Sequence, residues 1–139
     1  MKLFVLDTHV YVAYAKGDLN YFSKLVRKFI QLLDLNQCIF YIPTISFWEI
    51  GYKASIGDLK IKGYNPEESL TVFQKPLNSN PNFRDLPLTR GAASLAPTFK
   101  SKLIDPFDQL IVASAVEANL PLITKDQNIQ KSELVRVVW

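Results

Sequence analysis

The sequence predicts one α/β domain spanning residues 1–139, with a central parallel sheet and helices on both faces. Three observations lead there. Short, nearly continuous apolar runs alternate with longer segments of helical period. The runs lack the polar alternation of a strand with one wet face, so both faces of the sheet are expected to be covered. Carboxylates also recur just beyond the apolar runs, where open parallel sheets build their sites. A length of 139 residues suits one domain and suffices for a core.

The elements follow in order. Lys2–Leu6 is a buried strand ended by Asp7 and Thr8, and a helix starts at about Thr8. Residues 20–35 form an amphipathic helix, with Phe22, Leu25, Val26, Phe29, Ile30, Leu32 and Leu33 at helical spacing. Residues 38–42 are β-branched and aromatic, a second strand stopped by Pro43. Thr44–Ser55 is a helix closed by Gly57, with Ile45, Trp48, Glu49 and Tyr52 on one side. Residues 58–87 hold Gly63, Pro66, Pro76, Pro81 and Pro87, and read as loops around one helix at about 66–74. Helices at 89–95 and Pro106–Ala118, the latter amphipathic, precede a strand at 120–124, a short helix at 127–130 and a last strand at 134–138.

Composition excludes several classes. The apolar runs fall far short of the about 20 residues that cross a bilayer, and the opening stretch is too short for a signal-peptide core. One cysteine, Cys38, precludes an intrachain disulfide, fits a reducing cytoplasm and is expected as a buried strand residue. The net charge of +3 favours polyanionic partners. No acid lies between Asp85 and Asp105, whereas Arg90, Lys100 and Lys102 do: a phosphate-binding stretch or a plain solvated face.

Five acids each have two readings. Asp7 ends the first strand and also caps the next helix. Glu49 in Ser46-Phe47-Trp48-Glu49 fits a capping box; if the helix starts at Thr44, it becomes a carboxylate on an apolar side that needs a partner. Asp105 suits an N-cap before Pro106, and Asp108 suits the positive end of the helix dipole, though one turn before Ile111 and Val112 it also faces inward. Asp126 follows the strand at 120–124 and caps the short helix after it. Separate caps explain poorly why each of the five sits at a strand end or in an early helical turn.

Four stretches, Phe4-Val5-Leu6-Asp7-Thr8-His9, Ser46-Phe47-Trp48-Glu49-Ile50, Asp105-Pro106-Phe107-Asp108-Gln109-Leu110-Ile111 and Pro121-Leu122-Ile123-Thr124-Lys125-Asp126, resemble in order and spacing the PIN-domain nucleases, specifically toxins of the VapC type. Leu86-Pro87-Leu88-Thr89 resembles the family's lead-in to the third stretch. The resemblance implies a PIN fold with Asp7, Glu49, Asp108 and Asp126 as the acidic catalytic and metal site, and Thr8, Asp105 and Thr124 beside them. It further implies a small antitoxin partner and a homodimer. Two departures stand out: Leu103 replaces a frequent His and Gln109 a frequent Arg, and neither removes a carboxylate. His9 matches the family's Asp-Thr-His and is expected to pack or orient.

Clustered carboxylates repel one another until a hard divalent cation relieves them. Mg²⁺ or Mn²⁺ suits all-oxygen ligands, whereas zinc lacks a His/Cys cluster here. The expected chemistry is hydrolysis of RNA phosphodiesters, with Lys53, Lys100, Lys102 and Lys125 as candidates for phosphate contacts. The rivals are a catalytically silent interaction domain, a nuclease acting on DNA, and an aspartyl phosphotransferase. The last needs Asp-x-Asp after the first strand, where the chain has Asp7-Thr8-His9.

Overall fold

The computed structural model describes residues 1–57 and 66–139. Its strands are β1 (Lys2–Leu6), β2 (Cys38–Pro43), β3 (Phe83–Leu86), β4 (Leu122–Ile123) and β5 (Val137–Val138), all parallel, in the order β3-β2-β1-β4-β5. The helices are α1 (Thr8–Ala15), α2 (Lys24–Asp34), α3 (Thr44–Ser55), α4 (Pro66–Ser79), α5 (Arg90–Leu95), α6 (Pro106–Ala118) and α7 (Gln127–Ser132). The chain builds β1, β2 and β3 outward in one direction, then returns to place β4 on the other side of β1. That reversal opens a crevice at the carboxyl ends of β1 and β4.

Alternation along the strands sorts the core into two layers. Phe4 and Leu6 of β1 join Phe40 and Ile42 of β2 against α1, α2 and Phe73 of α4. Val5 points the other way, with Leu122, against Ile111, Val112 and Ala115 of α6 and Ile129 of α7. Both sheet faces are thus covered, which is why the strands read as unbroken apolar runs. Cys38 is fully buried, and burial pushes its thiol up to about 11.

Several expectations change in detail. The helix expected over 20–35 starts only at Lys24, because the Ser23 hydroxyl caps it by accepting from the Val26 amide at 3.2 Å; residues Leu19–Tyr21 form a separate 3-10 turn. The helix expected to end near Gln74 runs on to Ser79 through Pro76. Phe73 and Leu77, one turn apart, pack on the core and hold the turns on both sides of the proline. The Tyr11 hydroxyl also donates to the Phe73 carbonyl. β3 was expected as loop, since Phe83-Arg84-Asp85-Leu86 carries two charges in four residues. As an edge strand it leaves Arg84 and Asp85 exposed while its backbone pairs with β2. Asn82, just before it, donates to the Leu33 carbonyl and to Asn36 Oδ1 at 2.9 and 2.6 Å, tying this edge to the end of α2. The last two strands are shorter than expected, two residues each. α6 is not amphipathic: Ile111 to Ala115 are all buried, so it is a central helix wrapped nearly all round. Part of the loop expected after Gly57 lies outside the described residues.

Candidate active site

β1 delivers Asp7 to the crevice, and β4 delivers Thr124 beside it, with the Asp7 amide donating to the Ile123 carbonyl at 3.0 Å. The Asp7 side chain is buried and held at both oxygens. Oδ1 accepts from the Thr8 amide at 2.8 Å and Oδ2 from the Thr124 hydroxyl at 2.6 Å. The same Thr124 oxygen accepts from the Asp126 amide at 3.0 Å. One fully buried hydroxyl therefore positions two of the expected acids.

Asp126 also caps α7, its Oδ1 accepting from the Asn128 and Ile129 amides at 2.7 and 3.0 Å. Asp105 is the N-cap of α6, accepting from the Phe107 amide at 2.8 Å, and it is exposed. Asp7, Asp105 and Asp126 all act as helix caps, and Asp7 and Asp126 do so just beyond the carboxyl ends of β1 and β4.

Glu49 follows the second of its two readings, with one difference in the side it takes. α3 begins at Thr44 without a side-chain cap, so Ser46 and Glu49 form no capping box. Ser46, Glu49 and Ile50 turn inward, whereas Trp48 and Tyr52 turn out to solvent; Glu49 does not share their side. Its Oε2 pairs with the Lys53 ammonium at 2.6 Å, and its Oε1 is buried with no hydrogen-bond partner among the described residues. Burial works to lower the Lys53 pKa, but the bond and charge of Glu49, with Asp105 and Asp108, raise it overall.

The carboxylates feel one another strongly. Burial is the largest cause that raises Asp7, opposed by Thr124 and His9 and reinforced by Glu49. Asp108, in the first turn of α6, is pushed up to about 8 by burial, then by Asp7, Asp105, Asp126 and Glu49. Among the described residues, no three His, Cys, Asp or Glu side chains already stand as a closed set around one ion.

The shift of Asp108 fixes a sign. Its ordinary value is 3.8, so between about pH 4 and pH 8 the folded protein keeps a proton that the unfolded chain has released. This group's contribution to stability therefore falls as pH rises through that window. We expect the Tm of chelated protein to drop from about pH 5 to pH 8 by more in the wild type than in Asp108→Asn, measured by thermal denaturation. Parallel profiles for the two proteins would refute the shift.

The expected phosphate ligands divide. Lys53 is committed to Glu49 and points into the site. Lys102 is exposed and donates to the Ser132 carbonyl at 3.1 Å; Lys125 lies 5.1 Å from the Tyr21 ring centroid; Lys100 is exposed. His9 is exposed and does not pack; it acts on Asp7 through charge.

Sequence reasoning missed two neighbours of the site. Ser46 is fully buried and accepts from the Thr8 hydroxyl at 2.9 Å, which locks α1 to α3 behind Asp7. Its small polar type inside an apolar helix was the available signal. Tyr21 is half-buried near Asp7 and Asp126, and its phenol is pushed up to about 12 by burial and then by those two acids and Asp18. Nothing in its 3-10 turn announces that. The two departures, Leu103 and Gln109, form a coupled pair: Leu103 packs in the core beside α6, and the Gln109 amide donates to its carbonyl at 2.7 Å.

The fold is shared with chains of known toxin–antitoxin assemblies. A chain of VapBC2 from Rickettsia felis, bound to a DNA fragment from its promoter, matches with a TM-score of 0.67 at 16% identity, covering 98% of this chain and 97% of that one. A chain of DNA-bound VapBC from Salmonella typhimurium matches at 0.67 and 21%, covering 99% and 98%. One of VapBC-5 from Mycobacterium tuberculosis matches at 0.59 and 16%, covering 99% and 98%. No curated protein sequence matches significantly. The family description "PIN domain" matches residues 4–133, nearly the whole chain, and the protein belongs to the PIN-domain family.

Proposed function

We propose that the chain is a divalent-metal-dependent endoribonuclease, the toxin half of a bacterial toxin–antitoxin pair. The observation that carries this is the Glu49 Oε1, buried without a partner among the described residues in the same site as Asp108, which burial first and then the neighbouring acids push up to about 8. A buried unpaired carboxylate oxygen costs about 1–3 kcal/mol or more, and a cation offsets that cost. The donor set is all oxygen, which fits Mg²⁺ or Mn²⁺.

Asp7, Asp108, Asp126 and Glu49 would hold the ion. When bound, it supplies charge stabilisation at the scissile phosphate and a lower pKa for the attacking water. The protein supplies the frame. Thr124 and the Thr8 amide orient Asp7 and the Thr124 oxygen orients the Asp126 backbone. Lys53 neutralises part of the cluster while holding Glu49 in place. Lys100, Lys102 and Lys125 are exposed and are candidates for phosphate contacts, and Lys102 lines the cleft.

That the matched assemblies are VapBC pairs supports a small antitoxin partner, its tail seated in the acidic groove. A homodimer in the cytoplasm completes the reading. Among the described residues no helix is long and apolar enough to cross a membrane.

The test is incubation of purified protein with structured RNAs, and DNAs of the same sequences, in Mg²⁺, Mn²⁺ or EDTA. Cleavage of RNA that stops in EDTA is expected. Preference for DNA would overturn the substrate, and the lack of both cleavage and a metal-linked rise in Tm would point to a silent binding domain. Thr124→Val keeps the shape but removes the donor to Asp7. It should lower metal affinity and activity about 10- to 100-fold, as loss of a ligand's supporting bond does. Unchanged metal titration would remove Thr124 from the site.

A further inference from the structure

Three aromatic side chains stand at the mouth of the acidic cleft and serve no core. Trp48 is 58% exposed and Tyr52 45%, although both are large and apolar-faced. They lie one turn apart on α3, stacked with centroids 5.2 Å apart and planes 10° from parallel. Phe107, from the first turn of α6, leans on both at 5.3 and 6.2 Å. Single exposed aromatics need no explanation, but a group of three is a surface with a use.

Its position narrows that use. Trp48 and Tyr52 each precede a member of the Glu49–Lys53 pair, so the two pairs sit on adjoining faces of α3. Phe107 directly precedes Asp108. The helices that carry two of the acids thus also carry the rings. A cleft of about 730 Å³ is lined at once by Tyr52 and Phe107 and by Lys53, Asp105, Asp108 and Asp126. Lys102 lines it as well. A ligand filling this space meets a flat π surface, ammonium groups and carboxylates together. A nucleotide matches all three, since its base is planar and its phosphate is anionic and metal-seeking. An antitoxin tail seated in the same groove would compete for the rings, and the Trp48→Ala outcomes below separate the two occupants.

We infer that Trp48, Tyr52 and Phe107 form a stacking platform for an unpaired nucleobase adjoining the phosphate at the carboxylates. The base it takes is an unpaired one, because a base inside a duplex cannot reach an aromatic face. The inference rests on the nuclease reading.

The test is binding at low salt with Ca²⁺ in place of Mg²⁺ or Mn²⁺, each titration being checked for intact RNA. The probes are an unstructured 10-nucleotide RNA, an abasic ribose-phosphate 10-mer and an RNA duplex. The chain has two tryptophans, and Trp139 packs edge-on against Tyr21, so Trp48 is the reporter that stacking should quench. Quenching is expected with the single-stranded RNA alone, and it should vanish in Trp48→Phe. Trp48→Ala and Tyr52→Ala should weaken binding about 5- to 100-fold, raise KM with little change in kcat, and abolish the preference for bases over the abasic probe. Trp48→Tyr keeps a ring and should restore binding, which separates stacking from any loss of folding.

Equal affinity for abasic and normal RNA, or unchanged affinity in Trp48→Ala, would overturn the platform. So would a Trp48→Ala protein that changes its oligomeric state or loses a protein partner while binding RNA normally. Base-dependent binding without cleavage by the wild type would sink the nuclease reading and spare the platform. Cleavage with base-independent binding would do the reverse.

Discussion

Asp7→Asn should abolish metal-dependent cleavage, by about 10³-fold or more in kcat, while the metal-free protein gains stability. The two halves come from one geometry. Asp7 is buried, and burial is the main cause that raises its pKa, so the site by itself disfavours the charge. An amide keeps the shape and still accepts from the Thr8 amide, and the Thr124 hydroxyl can turn to accept from it. What disappears is the negative charge that a divalent cation needs. The Tm measured in chelator should therefore rise slightly, and the rise caused by added Mn²⁺ should shrink or vanish. A variant that cleaves fully in metal would remove Asp7 from the catalytic set. One that loses activity together with its chelated Tm would report misfolding instead.

Lys53→Ala should be the most destabilising single change at the site, by about 2 kcal/mol in chelator. The reference is the 3–5 kcal/mol lost when one partner of a buried ion pair is removed, reduced because the Lys53 side chain keeps 21% exposure. The loss arises mainly from Glu49, whose side chain is 4% exposed and would then have neither oxygen paired. Two measurements separate this from lost packing. In Lys53→Ala with Glu49→Gln, most of the lost stability should return, because the abandoned charge is gone. Saturating Mn²⁺ should also narrow the gap to wild type, since the cation takes over the neutralising role. If the double variant were as unstable as the sum of the two single ones, the pair would carry no coupling and the account would fail.

How much of this was legible differs from residue to residue. The ranges of β1, α3 and α6 follow from apolar runs and from Pro43, Gly57 and the Asp105-Pro106 start, all of which act over a few residues. The same local chemistry announced the acids, because a carboxylate that caps a helix after a strand is written in adjacent positions. For Asp7, Asp105 and Asp126 the capping reading holds in the structure, and the site reading is compatible with the same geometry. β3 escaped because its pairing is made by backbone groups, which its charged side chains conceal. α4 passes Pro76 because Phe73 and Leu77 are held by the core, an energy that helix propensity leaves out.

The sequence alone determined the fold class and most of its elements, β3 excepted, since these depend on period, caps and strand ends. Only the tertiary structure decided which way the side chains of α3 turn. Helical spacing relates Trp48, Glu49, Tyr52 and Lys53 to one another, but the inward direction is set by α4 and α6, which pack against α3 from far along the chain. That packing buries Glu49 on Lys53, leaves Trp48 and Tyr52 in solvent beside Phe107, and brings the Thr124 hydroxyl to Asp7 across 117 positions of sequence. Local periodicity carries the angle between neighbours on a helix; long-range packing alone supplies the axis from which that angle is measured.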